Sequence, residues 1–529
     1  MTGDLFFDGL SLVGYFSLIL VVGLWPRRKQ GTMEEFAMGG RQIPWWAVTA
    51  SIMAAEISAA TFLGAPEEGY TNRNYTYAQL ALGTILARAI VAYLFIKPYY
   101  DYKVVSIYEF LQIRFGVMTK NAASAVFLLT RILASGTRLY VAGVIVVLAV
   151  EYLGHFIPSA REEILIYIVV LAVITVLTTI YTSLGGIKAV VWTDLIQATV
   201  MFAALGYTIW ALLERIPGGW AGAVSHLNGP KDLTFWDTGI DPARHGWGQV
   251  KGILESEYTI WTAFLGSTFV TMATHGTDQD MVQRMLTAKN HQRSRLALVF
   301  SGLVDIPVVM AFLTVGILLY SFYQVHPDPS LPAKNRFAWW IIHEVPGGLR
   351  GLLVAGVLAT AMGSLSTALN ALATSFVRDW WLPYARPGAG EGDRVRAVRW
   401  STVFFGVLLV AVGAITAGVV VTYPKARIIP VVLGVFGYTY GSLLGIFLLG
   451  VLTKTRGNDF GNVLAMICGF VFVAIMSGLP NDLRQAFGYK VWEMPEWLPV
   501  IEFPWRVMFG TVATFGVACL FSRPLGKRN

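Results

Sequence analysis

The sequence predicts an all-α polytopic membrane protein. Of its 529 residues, 55% are hydrophobic and only 14% are charged, whereas soluble domains carry roughly 25% charged residues. The mean hydropathy is +0.58, and apolar runs of the roughly 20 residues that a membrane-spanning helix needs recur from end to end. The alternation over roughly ten residues that is typical of an outer-membrane barrel does not occur in the sequence.

Thirteen apolar runs are long enough to be membrane-spanning helices. The first uninterrupted apolar run, Leu10 to Trp25, follows Asp4 and Asp8 instead of basic residues, which is the wrong flank for a cleaved signal peptide, so we expect a permanent first helix whose N-terminus is outside. The predicted spans cover approximately residues 6–25, 45–65, 76–97, 121–150, 163–184, 189–213, 257–275, 294–323, 348–375, 397–422, 427–452, 458–478 and 505–522.

Basic residues are concentrated in one of the two sets of loops. If the N-terminus is outside, most loop lysines and arginines lie in cytoplasmic connections, although Lys425 and Arg427 break the pattern. The positive-inside rule therefore predicts a protein of the cell (inner) membrane, surrounded by lipid, with a cytoplasmic C-terminus. These loops account for the net charge of +8, so we expect no nucleic-acid partner, and no obligate protein partner is evident. The basic residues include those at 27–29, 97–120, 284–295, 378–399 and 523–528.

The second span combines a charged residue with a run of small residues. Glu56 falls near its midpoint, between Ala54-Ala55 and Ile57-Ser58. A helix that is interrupted at this depth frees backbone carbonyls that can hold a sodium ion. The alternative is a small-residue packing face with Glu56 neutralised by a neighbouring arginine. The residues alone leave both interpretations open.

The ninth span carries a row of hydroxyl groups. At about 100° per residue, Thr360, Ser364 and Thr367 lie within roughly 60° of one another. Gly363, Ser366 and Asn370 lie on the adjoining side. Hydroxyl oxygens in a row can replace the water around a hard cation, which prefers oxygen ligands. The alternative is that these residues join membrane helices by hydrogen bonds.

Three arginines lie at buried depth in the third and fourth spans, namely Arg88, Arg131 and Arg138. One of them could neutralise Glu56, which leaves positive charge facing the interior. That charge would suit an anionic group such as a substrate carboxylate, bound through two hydrogen bonds. Interhelical ion pairs and snorkelling towards an interface are the alternative.

No pattern in the sequence supports catalysis. Cys468 and Cys519 both lie in apolar runs, and the seven histidines show no metal-binding spacing. A phosphate-binding glycine loop is also lacking in the sequence. We therefore expect a protein that is not an enzyme and that needs no cofactor.

Four segments of the chain resemble the sodium:solute symporter family. They read GGRQIPWW at 39–46, SIYEFLQIRF at 106–115, YTSLGGIKAVVWTDLIQ at 181–197, which is the most specific, and TDQDMVQR at 277–284. The resemblance implies a LeuT-type fold with a 5+5 inverted repeat and alternating access around a mid-membrane site. The implied units are residues 1–44 (leading helix and first inner loop), 45–213 (first five-helix repeat), 214–256 (external loop), 257–452 (second repeat) and 453–529 (two trailing helices).

The resemblance also implies ion sites. The first sodium site maps to backbone oxygens of Ala54 and Ile57 together with Thr360, Gly363 and Ser364. Family members usually have a hydroxyl residue where this chain has Gly363, so one side-chain ligand is missing. A second sodium site of some relatives maps to Asp194, Ser366 and Thr367. Without the resemblance, Asp194 would be interpreted as an interfacial carboxylate paired with Lys188.

The resemblance suggests a substrate pocket without identifying the substrate. Glu56 stands where sugar-transporting relatives have an asparagine, and Thr274 stands where they have an aromatic gate, which argues against a galactose-type pocket. Arg131 falls near the position at which sialic-acid-transporting relatives hold the substrate carboxylate. The predicted substrate-binding residues are Glu56, Ser58, Thr61, Gln79, Arg88, Arg131, Arg138, Thr271, Thr274 and His275.

We therefore predict a secondary symporter that imports a small polar organic solute, such as a sugar, sialic acid or a carboxylate, with sodium as the coupling ion. One alternative is a proton-coupled symporter of the same fold, in which Glu56 titrates. Another is a membrane solute sensor that does not transport. A channel is disfavoured because the sequence has no ring of acidic or carbonyl-lined filter segments.

Overall fold

The computed structural model describes residues 2–25, 31–154, 157–423, 434–486, 488–493, 495 and 497–522. The basic residues at 27–29 and 523–528, Lys425, Arg427 and the beginning of the eleventh predicted span lie outside these ranges. The described residues are helices joined by loops, and the β-structure among them consists of two isolated bridges.

The helices are numbered here in chain order. They are α1 (Thr2–Leu24), α2 (Met33–Met38), α3 (Trp45–Glu56), α4 (Ala59–Asn72), α5 (Leu80–Leu94), α6 (Ile96–Asp101), α7 (Tyr108–Arg114), α8 (Val117–Gly154), α9 (Ala160–Arg215), α10 (Gly219–Ser225), α11 (Trp247–Leu254), α12 (Ser267–Gly276), α13 (Gln279–Met285), α14 (His291–Val325), α15 (Arg336–Glu344), α16 (Leu349–Phe376), α17 (Glu391–Thr422), α18 (Val435–Leu452), α19 (Asp459–Met476), α20 (Leu479–Ala486) and α21 (Phe503–Cys519). Short 3₁₀ segments occupy Gly39–Arg41 and Thr76–Gln79, and π-helical segments occupy Thr262–Gly266 and Val377–Ala385.

Nine of the described helices are long and apolar enough to cross a membrane, or ten if the bent pair α3–α4 is one span. Helix α9 has 56 residues, about 84 Å of helical rise. Its Gly186 has non-helical angles (φ 56°, ψ −155°), which divide it into the fifth and sixth predicted spans. The seventh span is a π-helical turn continued by α12, and the thirteenth is α21, of 17 residues. Within the described residues, every predicted span thus coincides with helical structure.

The second span is broken in its middle. Helices α3 and α4 meet at 67° across residues 57 and 58. Ile57 and Ser58 have extended backbone angles, and the Ser58 hydroxyl accepts a hydrogen bond from the amide of Thr61, so it caps the new helix. The interruption that the small residues around Glu56 suggested is therefore present.

The second half of the broken span, helix α4, is fixed by glycine packing against α14. A Cβ atom at Gly69 would lie 2.3 Å from the Leu313 carbonyl oxygen, and a Cβ at Gly316 would lie 2.0 Å from that of Pro66. Only glycine allows the two backbones to approach so closely. This contact sets the distance between α4 and α14.

Helix α16 is the most deeply buried of the spanning helices described. In its most apolar 18-residue window, 89% of the residues are buried. It packs against α9, α8, α17 and α1, and it also contacts α3 and α13. The hydroxyl row of the ninth span is therefore placed inside the bundle, beside the broken second span.

The connecting loops gather in two groups. Arg378 and Glu109 form an ion pair that joins two of the connections predicted to be cytoplasmic. Arg73 and Asp232 lie 3.1 Å apart and join two of those predicted to be external. Each of these ion pairs thus joins two loops that the predicted topology places on the same side of the membrane.

We expect Gly316→Val to destabilise the protein. The added side chain would collide with the backbone of α4 at Pro66, and overpacking of this kind costs about 1–3 kcal/mol. The measurement is the thermal unfolding midpoint of the purified protein in detergent. Gly206→Val is the control, because a Cβ at Gly206 has no neighbour within 4 Å; equal midpoints for the two variants would contradict the prediction.

Candidate functional site

The break in the second span leaves backbone carbonyl groups without helical partners. The amide of Ile57 still donates to the Met53 carbonyl at 3.1 Å, but the chain then turns away from the axis of α3. The carbonyl groups of the last turn, including that of Ala54, consequently lack the amides that a continuing helix would supply. Carbonyl oxygens are ligands that hard cations prefer.

The hydroxyl row of α16 is oriented by hydrogen bonds to the helix itself. Thr360 Oγ1 donates to the Val357 carbonyl at 2.7 Å, Ser364 Oγ donates to the Thr360 carbonyl at 3.1 Å, and Thr367 Oγ1 donates to the Ser364 carbonyl at 2.7 Å. A hydroxyl whose proton is engaged in this way keeps its lone pairs available. The row is thus suited to accept a cation.

Gly363 brings these two groups of oxygens together. A Cβ atom at Gly363 would lie 3.0 Å from the Ala54 carbonyl oxygen. The residues predicted for the first sodium site therefore come from two segments that are in contact in the structure, and the missing side chain at position 363 is what lets the end of α3 approach α16.

Asp194 has other partners than the one that the sequence alone suggested. Its Oδ2 accepts hydrogen bonds from Ser51 at 2.5 Å and from Arg284 at 3.0 Å. The predicted pairing of Asp194 with Lys188 is wrong, because the Asp194 carboxylate is buried in the bundle and forms its ion pair with Arg284 of α13. Of the other residues predicted for a second sodium site, Ser366 donates to the Gly363 carbonyl at 3.0 Å, and Thr367 lies beside Asp280, with its Oγ1 3.4 Å from Asp280 Oδ2.

A buried network of ion pairs extends from Arg284. Arg284 contacts Asp280 at 2.9 Å, and Asp280 contacts Arg131 at 3.0 Å. Arg131 also pairs with Asp278, which accepts a hydrogen bond from Tyr440. The network joins α8, α9, α13 and α18, so Arg131 is part of an interhelical ion pair, the alternative that the sequence left open.

A second cluster surrounds Glu56. Its Oε1 is paired with Arg88 and lies 3.0 Å from His275 Nε2. Arg88 is 1% exposed, donates to Ser301 Oγ at 2.9 Å and approaches Asp305 Oδ2 at 3.9 Å. The two carboxylates are 20% and 17% exposed. An arginine thus neutralises Glu56, as one of the two interpretations proposed, and Asp305 adds a further carboxylate.

The remaining predicted substrate residues lie in two places. His275 Nδ1 lies 3.0 Å from Thr274 Oγ1 and 3.3 Å from the Thr271 carbonyl oxygen. These three residues therefore lie together, and His275 is the one that contacts Glu56. Gln79 is fully buried, and its Oε1 accepts from the amide of Asp237 in the 214–256 segment. Ser58 and Thr61 are at the break itself.

Arg138 lines a small polar cavity between the broken span, α8 and α16. Its guanidinium stacks on Phe436 at 4.8 Å, and among the described residues it has no ion pair, in contrast to Arg131. The cavity has a volume of about 20 Å³, enough for a water molecule. Its wall is formed by Ala55, Ala59, Arg131, Ser135, Arg138, Leu139, Asp280, Ala361, Ser364 and Leu365.

Formal charge around the break is not balanced. Within the described residues, the two clusters and the cavity contain five carboxylates and four guanidinium groups. The excess is one negative charge when His275 is neutral. Because charge is costly inside an apolar bundle, this region favours the entry of a cation. The carboxylates are those of Glu56, Asp194, Asp278, Asp280 and Asp305, and the guanidinium groups are those of Arg88, Arg131, Arg138 and Arg284.

Several residues of these clusters were not singled out from the sequence. Asp305 could have been found by the rule that identified Glu56, because it is a carboxylate within the eighth apolar run. Asp278, Asp280 and Arg284 belong to the segment 277–284 that carries the family resemblance, but this segment follows the seventh apolar run, so the hydropathy pattern predicts a loop there. Burial of the whole of α13 has no local sequence signal.

The comparisons with known proteins agree with this architecture. Residues 36–469 match the model of the sodium:solute symporter family. The chain is 26% identical over 489 residues to the sodium/sialic acid symporter SiaT of Proteus mirabilis (strain HI4320), with 91% of each chain covered. It is 27% identical over 454 residues to sodium-coupled monocarboxylate transporter 1 of Homo sapiens, covering 83% of this chain and 68% of the relative.

Solved structures confirm the LeuT-type fold that the resemblance implied. The substrate-bound outward-open state of a Na⁺-coupled sialic acid symporter matches with a TM-score of 0.78 and 22% identity, covering 98% of this chain and 99% of that chain. The inward-facing conformation of Mhp1 matches with a TM-score of 0.50 and 12% identity, covering 91% and 90%.

We expect Arg131→Met to lower the stability of the protein strongly. The substitution leaves Asp278 buried without its cation and Asp280 with Arg284 alone, and breaking a buried pair costs about 3–5 kcal/mol. The thermal unfolding midpoint in detergent measures the effect. The control is Lys97→Met, which removes an ion pair with Asp101 whose side chains are more than half exposed and should change little. A midpoint for Arg131→Met equal to that of the control would show that the network does not stabilise the bundle.

Proposed function

This chain belongs to the sodium:solute symporter family, and from that premise we propose that it imports a small polar organic solute with sodium by alternating access. The observation that carries the proposal is the contact between the broken second span and the hydroxyl row of α16. The Ala54 carbonyl oxygen lies where α16 meets the end of α3 at Gly363, and Ser364 of the hydroxyl row lines a cavity together with Ala55 of α3. The cation that suits such neutral oxygen ligands is a hard one.

Sodium would act by joining two elements that move relative to each other. In the proposed site, Ala54 and Ile57 belong to the broken span, whereas Thr360 and Ser364 belong to α16. A cation shared between them favours the state in which they are in contact, and an ion shifts a conformational equilibrium only by such a difference in affinity. Sodium and solute must then raise each other's affinity to the same extent.

The solute that we propose carries a carboxylate. Arg138 is the guanidinium without an ion pair in the described part of the cavity wall, and a guanidinium binds a carboxylate through two hydrogen bonds. Glu56, whose charge would repel an acid, is paired with Arg88 and is not among the residues of this wall. The names of the relatives, a sialic acid symporter and a monocarboxylate transporter, support the same class of solute.

Binding of such a solute would require the cavity to widen. Its volume of about 20 Å³ does not accommodate an organic acid. Helix α4 is fixed to α14 by glycine packing, so we propose that α8 moves relative to the pair formed by α4 and α14. Ser364 lines both the cavity and the sodium site, so the same movement affects both ligands.

We propose that the protein lies in the cell (inner) membrane with its N-terminus outside and its C-terminus cytoplasmic. The support is the concentration of basic residues in loops that contact one another at one end of the bundle. The two five-helix units, 45–213 and 257–452, would then be the halves that rock. The sensor and the proton-coupled symporter are not favoured, because the named relatives are sodium-coupled transporters.

We expect Ser364→Ala to weaken sodium binding. Loss of one hydroxyl ligand should raise the sodium concentration for half-maximal stabilisation about tenfold, which is about 1.4 kcal/mol. Thermal midpoints of the purified protein are measured against sodium chloride, with choline chloride keeping the ionic strength constant, since a ligand that binds the native state stabilises it. Ser135→Ala is the control, because Ser135 lines the same cavity but lies outside the sodium site. Wild-type protein that shows no sodium effect would refute the proposed coupling.

We expect Arg138→Gln to abolish stabilisation by N-acetylneuraminate and by pyruvate in sodium, while the unliganded protein unfolds near the wild-type temperature. Arg138 has no ion pair to lose within the described residues, unlike Arg131. The two acids represent the sialic-acid and monocarboxylate classes, and galactose is the uncharged comparison. If galactose stabilises the wild-type protein and neither acid does, the proposed solute class is wrong.

A further inference from the structure

Gln197 is a buried polar side chain whose hydrogen-bonding capacity is not satisfied within the described structure. It lies on α9 and is 1% exposed, and neither its Oε1 nor its Nε2 makes a hydrogen bond of good geometry among the described residues, although the hydroxyl groups of Tyr15 and Tyr181 lie beside it. A buried amide without hydrogen bonds costs about 1–3 kcal/mol. A buried polar group whose hydrogen bonds are not satisfied needs an explanation, such as a bound ion or a functional role.

The position of Gln197 suggests a ligand. A Cβ atom at Gly363 would lie 3.0 Å from Gln197 Oε1 and 3.0 Å from the Ala54 carbonyl oxygen. The amide oxygen of α9 and the carbonyl oxygen of α3 therefore border the space in which a side chain at position 363 would begin. Two oxygens that can only accept hydrogen bonds are placed together favourably when a cation lies between them.

A second buried oxygen lies on the same face of α9. Asp194 precedes Gln197 by three residues, a spacing that puts both side chains on one side of a helix. Asp194 Oδ2 is bound by Ser51 and Arg284, but Oδ1 is buried and has no partner within the described structure. This helix thus presents a carboxylate oxygen and an amide oxygen, both available, towards the region between α3 and α16.

We propose that Gln197 Oε1 is a ligand of the sodium ion at the broken span, and that it takes the place of the hydroxyl that Gly363 lacks. The inference rests on the proposed function, because it adds a residue to the sodium site given there. An amide oxygen and a hydroxyl are both neutral hard donors, so the exchange preserves the number and charge of the ligands. It also extends the site to a third helix, α9.

The test is a double-substitution experiment on sodium affinity. The full-length protein is purified in detergent, and its thermal midpoint is titrated with sodium chloride at constant ionic strength with choline chloride. Gln197→Ala should raise the half-maximal sodium concentration about tenfold. Gly363→Ser in the Gln197→Ala background should restore it towards the wild-type value, because the truncation removes the Oε1 atom that a side chain at 363 would meet.

Two further variants keep the result interpretable. Gln197→Met retains the length and volume of the side chain without its oxygen, so it should lose sodium affinity even if the alanine variant unfolds too readily to titrate. Thr199→Ala, an exposed position on the same helix, is the matched control and should titrate as the wild type does.

The outcomes separate this inference from the function on which it rests. If the wild-type protein responds to sodium and both Gln197 variants respond equally well, Gln197 is not a ligand and only the inference fails. Loss of affinity that Gly363→Ser does not restore at all would indicate a structural role and also overturn it. A wild-type protein that does not respond to sodium overturns the proposed function together with the inference.

Discussion

The need to neutralise buried charge determines how this bundle is arranged around its centre. Carboxylates and guanidinium groups inside an apolar protein are stable only when they are paired and hydrogen-bonded. Arg131 therefore ties α8 to the buried α13, Arg284 ties α13 to α9, and Arg88 ties α5 to the end of α3. The helix break and the hydroxyl row are held between these two clusters.

Local pattern was sufficient to predict the helices but not the partners of the charges. Apolar runs of membrane length determine where spans form, and small residues around Glu56 marked the break. Arg131 and Asp278, however, are 147 positions apart, and which carboxylate an arginine meets depends on how closely the helices pack. That packing is set by contacts such as Gly316 against Pro66, which no periodicity reveals. Hence Asp194 was matched with the nearby Lys188, whereas Arg284 is its partner.

Gly363 illustrates why a single position is a poor guide to a site. From the sequence it is a lost ligand, because a hydroxyl residue is usual there in the family. In the structure it is also the point at which α3, α9 and α16 meet, with the Ala54 carbonyl and the Gln197 amide oxygen both 3.0 Å from where its Cβ would be. The absence of a side chain admits two oxygens from other helices, so the oxygen count at the centre is not determined by position 363 alone.

The charge balance gives a physical reason for sodium to precede the solute in the proposed mechanism. Among the described residues around the break, carboxylates outnumber guanidinium groups by one, so an acid that arrives first would add to a negative excess at the place where charge is least screened. A sodium ion at the proposed site beside Ser364 would compensate that excess and would lie next to the cavity that Arg138 lines. The cation would thereby lower the electrostatic cost of the anion, and by reciprocity the anion would retain the cation. Coupling between the two ligands then requires no contact beyond a shared low-dielectric space and one residue, Ser364, that lines both sites.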